Sequence, residues 1–286
     1  MRPYSHFACL VIFLAVGCRE ATPKRSSSAK PAPPSVAHAE RVEKEARNSL
    51  ANSQPAAQAQ AAFDEAQRNV SAKRYDDALA NYVRLLETAP NIDRAYNGVL
   101  LFSALRNWKQ LGDVYPAAKT KLIEVRDEAE RKVKNDDDAI ESFDKFAAIN
   151  SVLGEDQKTV ALFKILDKDN VQAAGEAFEA ARPALIKAGE LQLCGTYADP
   201  KDYPRLVERY HQLLNLPADS IIGENRAEFA QKSFSNSVTT LVALLVLSDR
   251  KANAEGIAAA AKTVWSNKLF AEALDRALKG EVPVQQ

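Results

Sequence analysis

Lys73-Arg74-Tyr75-Asp76-Asp77-Ala78-Leu79-Ala80-Asn81-Tyr82-Val83-Arg84-Leu85-Leu86-Glu87-Thr88-Ala89-Pro90 is the stretch on which the fold turns. Ala78, Tyr82 and Leu85 stand at i, i+4 and i+7, a spacing that puts three side chains on one face of an α-helix. A small residue there lets a neighbouring helix come close, and the ring fills the wedge between hairpins. Burying such a ring contributes on the order of 2 to 3 kcal/mol. The trio recurs at Leu111/Tyr115/Ala118, Ala139/Phe143/Phe146, Ala174/Phe178/Ala181 and Leu206/Tyr210/Leu213, with the aromatics 33, 28, 35 and 32 residues apart. Any amphipathic helix supplies one such triplet, so the weight lies in the repetition. Pro116 falls inside the second trio and breaks or kinks a helix there unless it sits in a first turn.

Outward from this stretch the helical pattern continues. From residue 39 onward the chain is rich in Ala, Leu, Glu, Lys and Gln, and no alternating Val/Ile/Thr run is long enough for a strand. Short polar breaks punctuate it, among them Ala89-Pro90-Asn91, Asn135-Asp136-Asp137, Asp167-Lys168-Asp169-Asn170 and Ser248-Asp249-Arg250. The pattern predicts an all-α protein. The length beyond residue 39 reaches the upper end of a single core, so two domains or a quasi-linear array is expected.

Lys73 to Ala78, Tyr82, Leu85 and Ala89-Pro90 together resemble the second half of a tetratricopeptide repeat, whose period is about 34 residues. The resemblance spans 61–217, and only 61–94 carries both the Tyr-Asp-Asp-Ala entry and the exit proline. It implies a right-handed array of helical hairpins, a TPR-like solenoid over 39–217. Residues 218–286 are expected to add a C-terminal hairpin and a cap: an apolar helix over 229–247, a second helix over 252–265, and an amphipathic capping helix over 267–279 stopped by Gly280. Arrays of this kind bind largely through the first helix of each pair. That resemblance makes Asn69, Tyr96 and Asn97 the candidate partner-binding residues.

The amino end has a different character. Arg2, the apolar run Phe7 to Val16 and Gly17-Cys18 form the three parts of a secretory signal, and the run is half the roughly 20 residues that a membrane span needs. Leu14-Ala15-Val16-Gly17-Cys18 resembles the lipobox of bacterial lipoproteins, with Ala15 in place of the usual Leu. The resemblance implies a signal peptide over 1–17 and a lipidated Cys18, and Arg19 after the cysteine implies outer-membrane retention facing the periplasm. Ordinary signal-peptidase cleavage is the alternative, and it leaves Cys18 and Cys194 as two thiols in an oxidising compartment. Residues 18–38, with Ser26-Ser27-Ser28 and Pro23, Pro31, Pro33 and Pro34, read as a disordered tether that cannot bury enough surface to order itself.

Charge and chemistry narrow the function. Residues 39–286 hold 33 basic and 37 acidic side chains, a net of minus four, which carries no footprint of a nucleic-acid binder. No His/Cys cluster has metal-ligand spacing, and no glycine-rich phosphate cradle is written. Asp136-Asp137-Asp138 lacks the glycine and distal glutamate of a calcium loop and reads as a solvated turn. Cys194 and His211 have nothing that brings them together as thiol and base. The expectation is therefore no enzyme, no metal and no cofactor. The leading reading is a lipid-anchored envelope protein that binds a protein or peptide partner as an adaptor or assembly accessory. A cell-envelope enzyme acting on glycan and a purely structural spacer are the alternatives.

Overall fold

The structure, a computed structural model, describes residues 57–88, 94–135, 139–216 and 223–284. The chain divides into two units, Met1–Glu45 and Ala46–Gln286. The first unit lies wholly outside the described residues, and with it the expected signal peptide 1–17, Cys18 and the tether over 18–38. In the second, the described residues form α-helices and short 3-10 turns and no strand. No helix among them is long and apolar enough to cross a membrane.

The helices are α1 (57–71), α2 (Tyr75–Thr88), α3 (Arg94–Val114), α4 (Pro116–Lys134), α5 (Ala139–Leu153), α6 (Asp156–Asp169), α7 (Val171–Lys187), α8 (Leu191–Tyr197), α9 (Tyr203–Leu214), α10 (Arg226–Leu247), α11 (Lys251–Val264) and α12 (Lys268–Ala277). Their ends follow local chemistry. Asn170 alone separates α6 from α7, and its side chain accepts the Ala173 N–H at 3.1 Å, satisfying one of the orphan donors of the first turn. Asn267 caps α12 in the same way through the Phe270 N–H. Gly280 ends α12 at φ +83, and a Cβ there would stand 3.2 Å from Leu247 Cδ2. Both the backbone and the packing require glycine at that position.

Four of the five aromatic trios sit on single helices. Ala78, Tyr82 and Leu85 are buried in α2, Ala174, Phe178 and Ala181 in α7, and Leu206, Tyr210 and Leu213 in α9; α5 buries Phe143 and Phe146 and half-buries Ala139. The trio Leu111/Tyr115/Ala118 is corrected. Leu111 lies in the last turn of α3, Ala118 in the first turn of α4, and Tyr115 is the single extended residue between the two helices at φ −133. Pro116 has no N–H to donate and so opens α4 instead of lying within a helix.

Two cores result. The first joins Ala59, Phe63 and Ala66 of α1 to α2, α3 and the start of α4, with Ile149 of α5. At its centre Tyr82 stacks on Trp108 with centroids 6.1 Å apart, and Trp108 Nε1 donates to the Ala118 carbonyl at 2.8 Å. Burial pushes the Tyr82 hydroxyl up to about 12. The second core runs without a break from Ala129 of α4 to Ala277 of α12, across the expected boundary at 217. Helix α5 touches α3 and α7, so these three lie side by side, while α2 and α4 each pack on α3. Helix α10 packs against α8, α9, α11 and α12 and buries ten residues, as a helix apolar on most faces requires.

Polar clamps tie the helices together where packing alone leaves charges and carbonyls unmatched. Arg126 is 5% exposed, binds Glu155 and Asp127, and so joins α4 to the start of α6. Glu155 titrates below the usual carboxylate range because Lys158 hydrogen-bonds it, with the Arg126 charge adding to the effect. Arg250 donates to the carbonyls of Gly195 and Ala198, at the end of α8 where helical carbonyls lack partners. Gly195 permits the crossing there: a Cβ would lie 3.2 Å from Ser248 Cβ.

Candidate partner-binding cleft

A cleft of about 560 Å³ opens between α2 and α4. Helix α2 lines it with Asp76, Leu79, Ala80 and Val83, and α4 with Ala117, Thr120, Lys121 and Glu124. Each set is spaced i, i+3, i+4 and i+7, so one stripe of each helix faces the opening. The two helices begin at the same end of it. Tyr115, the residue before α4, donates its hydroxyl to Asp76 Oδ1 in the first turn of α2 at 2.5 Å, and its ring stacks on Tyr75 at 5.7 Å. That hydrogen bond raises the Tyr115 hydroxyl above its ordinary titration range.

The floor is apolar and the lips are small. Leu79 and Val83 are half-buried against the first core, whereas Ala80 and Ala117 are exposed. The polar side chains of α4 are already engaged: Lys121 pairs with Glu124 at 3.1 Å and Thr120 donates to the Pro116 carbonyl. Among the described residues Asp76 meets only the neutral Tyr115 hydroxyl in the cleft, while its neighbour Asp77 faces Arg74 at 3.7 Å. The cleft therefore presents an apolar trough with one unmatched negative charge at the end where both helices start.

A second opening, about 410 Å³, adjoins the first along α4, shares Lys121 and Glu124 with it, and extends towards α5. Its charges largely cancel within the molecule, since Arg131 pairs with Glu128 and Lys145 faces Glu141 at 3.6 Å.

The residues singled out in the sequence fall elsewhere. Asn69 is 3% exposed, and its Oδ1 accepts from Arg74 Nε and Nη2 at 2.8 and 2.5 Å, across the turn where Lys73 adopts φ +59. It holds α1 to α2 and presents almost no surface. Tyr96 and Asn97 belong to α3, but their side chains lie outside the described residues, as does Cys18. Cys194 is fully buried in the second core, and burial pushes its thiol up to about 11, which leaves it a poor nucleophile at neutral pH. His211 is exposed on α9 with its ring beside Tyr210 at 5.5 Å. No group of three metal-ligating side chains is assembled among the described residues. None of the lining residues of the α2–α4 cleft was assigned a contact role from the sequence. The matched stripes with an alanine on each were the signal available there.

No protein-family model matches the chain, and neither a curated protein nor a solved structure shows significant similarity to it.

Proposed function

We propose that the protein is a lipid-anchored adaptor of the bacterial envelope, held at the outer membrane through Cys18 and facing the periplasm, whose TPR-like helical array binds a protein partner. The observation that carries the binding part is the open α2–α4 cleft, with its apolar floor and small lips, which lies between the second helices of their hairpins and not on the first-helix row that the resemblance implies. The hairpin array is read as a right-handed solenoid, with α3, α5 and α7 as neighbouring members of one row and α12 as its cap. The anchor rests on the sequence from Leu14 to Cys18. Binding does not call on catalysis: the buried Cys194 and the exposed His211 occupy different environments.

Crosslinking in intact cells, followed by mass spectrometry of what is recovered with the chain, tests the binding reading. A single protein recovered in near-stoichiometric amounts supports it; a chain present at its normal level with no partner contradicts it. Cys18→Ser tests the anchor separately, with loss of lipid labelling expected. Labelling that survives the substitution contradicts the anchor and leaves the cleft to be judged by itself.

A further inference from the structure

We propose that the α2–α4 cleft receives one amphipathic α-helix of a partner protein, laid along the trough on its apolar face with a lysine or arginine at the Asp76 end. The inference rests on the binding reading above and names the class of partner.

Three observations select a helix. The two lining stripes each cover seven steps of an α-helix, about 10.5 Å at 1.5 Å per residue, so they run alongside two turns of a third helix. Both stripes are spaced to interdigitate with ridges of the same kind, and Ala80 and Ala117 leave room for a close interaxial distance. An extended peptide fares worse. Its backbone N–H and C=O groups would meet an apolar floor and side chains already bonded to one another, and the described residues offer no strand edge to pair with. A helix satisfies its own backbone and asks only for apolar contact.

Charge sets the polarity. The Lys121–Glu124 pair cancels within its own stripe, whereas the Asp76 carboxylate is met by a neutral donor. A carboxylate at the rim of a trough favours a cation on the incoming helix and disfavours a carboxylate there, which fixes direction as well as composition.

The test uses the full-length chain in detergent and three fluorescein-labelled designed peptides. One is a helix with a Leu/Ala stripe and lysines at one end, the second replaces those lysines with glutamate, and the third breaks the first at its centre with proline. The lysine helix should bind best, the glutamate helix several-fold more weakly, and the proline-broken peptide not measurably. Ala117→Trp, at an exposed position on the lip, should fill the trough and weaken the lysine helix at least tenfold; Ala80→Trp does the same from the other lip if the first variant melts early. Asp76→Asn keeps an acceptor for Tyr115 and should erase the preference for lysine over glutamate. Equal binding by the wild type and a well-folded tryptophan variant overturns the inference. So does a preference for the proline-broken peptide, or no binding by any of the three. If a cellular partner is recovered and survives both tryptophan substitutions, the binding reading stands and the helix-in-trough inference falls. If no cellular partner exists, both fall.

Discussion

The two halves of the described protein bury their helices in different ways. Between residues 57 and 134, α2 and α4 both rest on α3, leaving a trough with half-buried Leu79 and Val83 on its floor. Beyond α7 the helices gather around α10, which is covered by α8, α9, α11 and α12 and presents ten buried residues to them. The first arrangement keeps apolar surface in reserve. The second packs its core rings on one another, Tyr210 on Phe234 at 4.8 Å, Phe234 on Phe270 at 5.7 Å and Phe270 on Trp265 at 5.1 Å, and leaves only single apolar side chains such as Leu269 exposed. A half that is closed in this way is suited to holding the fold, and a half that is left open is suited to receiving something else.

The sharpest way to break this contrast is to truncate one ring in the closed half. Phe234→Ala should cost about 3 to 5 kcal/mol in denaturant unfolding, because the ring is buried between Tyr210 and Phe270 and its loss leaves a cavity. Leu79→Ala, on the floor of the trough, should cost less, roughly 1 to 2 kcal/mol, since part of that side chain is already in water. Equal losses for the two would remove the distinction between a closed half and an open one.

Next in size is the polar support beneath the trough. Trp108→Phe keeps most of the stacking on Tyr82 but removes the Nε1 donor to the Ala118 carbonyl, which then keeps only its helical partner, and about 1 kcal/mol should be lost on thermal or chemical unfolding. A neutral result would mean that the Trp108–Ala118 bond does not hold α4 against α3. Asn69→Ala should lower stability by roughly 1 kcal/mol through loss of the acceptor for Arg74, while leaving partner recovery unchanged. Loss of the partner at undiminished stability would instead return Asn69 to the contact role that its helix position suggested.

The smallest effect is expected at the clamp between α4 and the start of α6. Glu155 has its carboxyl held below the usual range, so its contribution is fully present above the unfolded-state value and is lost as pH falls through the lowered folded value. Because more than a third of that side chain is exposed, Glu155→Gln should cost no more than about 1 kcal/mol at neutral pH. Urea midpoints of parent and variant should converge in acid. A gap that widened on acidification would reverse the sign of the argument.

Much of this architecture was written in the order of residues. Helix periodicity located α2, α7 and α9 by the side chains they bury, and the continuous apolar run over 241–247 announced a helix needing cover on most sides. Spacing misled where a single residue changes helix. Leu111, Tyr115 and Ala118 keep the right intervals while Tyr115 stands outside both helices, and Pro116 was the residue that told them apart. The burial of Asn69 depends on a left-handed residue at Lys73 and on Arg74 folding back across the turn, neither of which periodicity records. The cleft was hidden for a further reason. Its stripes are legible on α2 and α4 one at a time, but the gap between them depends on how both helices ride on α3.

A photo-crosslinking amino acid placed singly at Val83, in the trough, and at Leu269, 74% exposed on α12, tests the contrast in living cells. The open half should yield a covalent adduct with a partner protein from Val83, and that adduct should disappear when Ala117→Trp fills the trough. Leu269 should yield none. An adduct from Leu269 with none from Val83 would contradict the account.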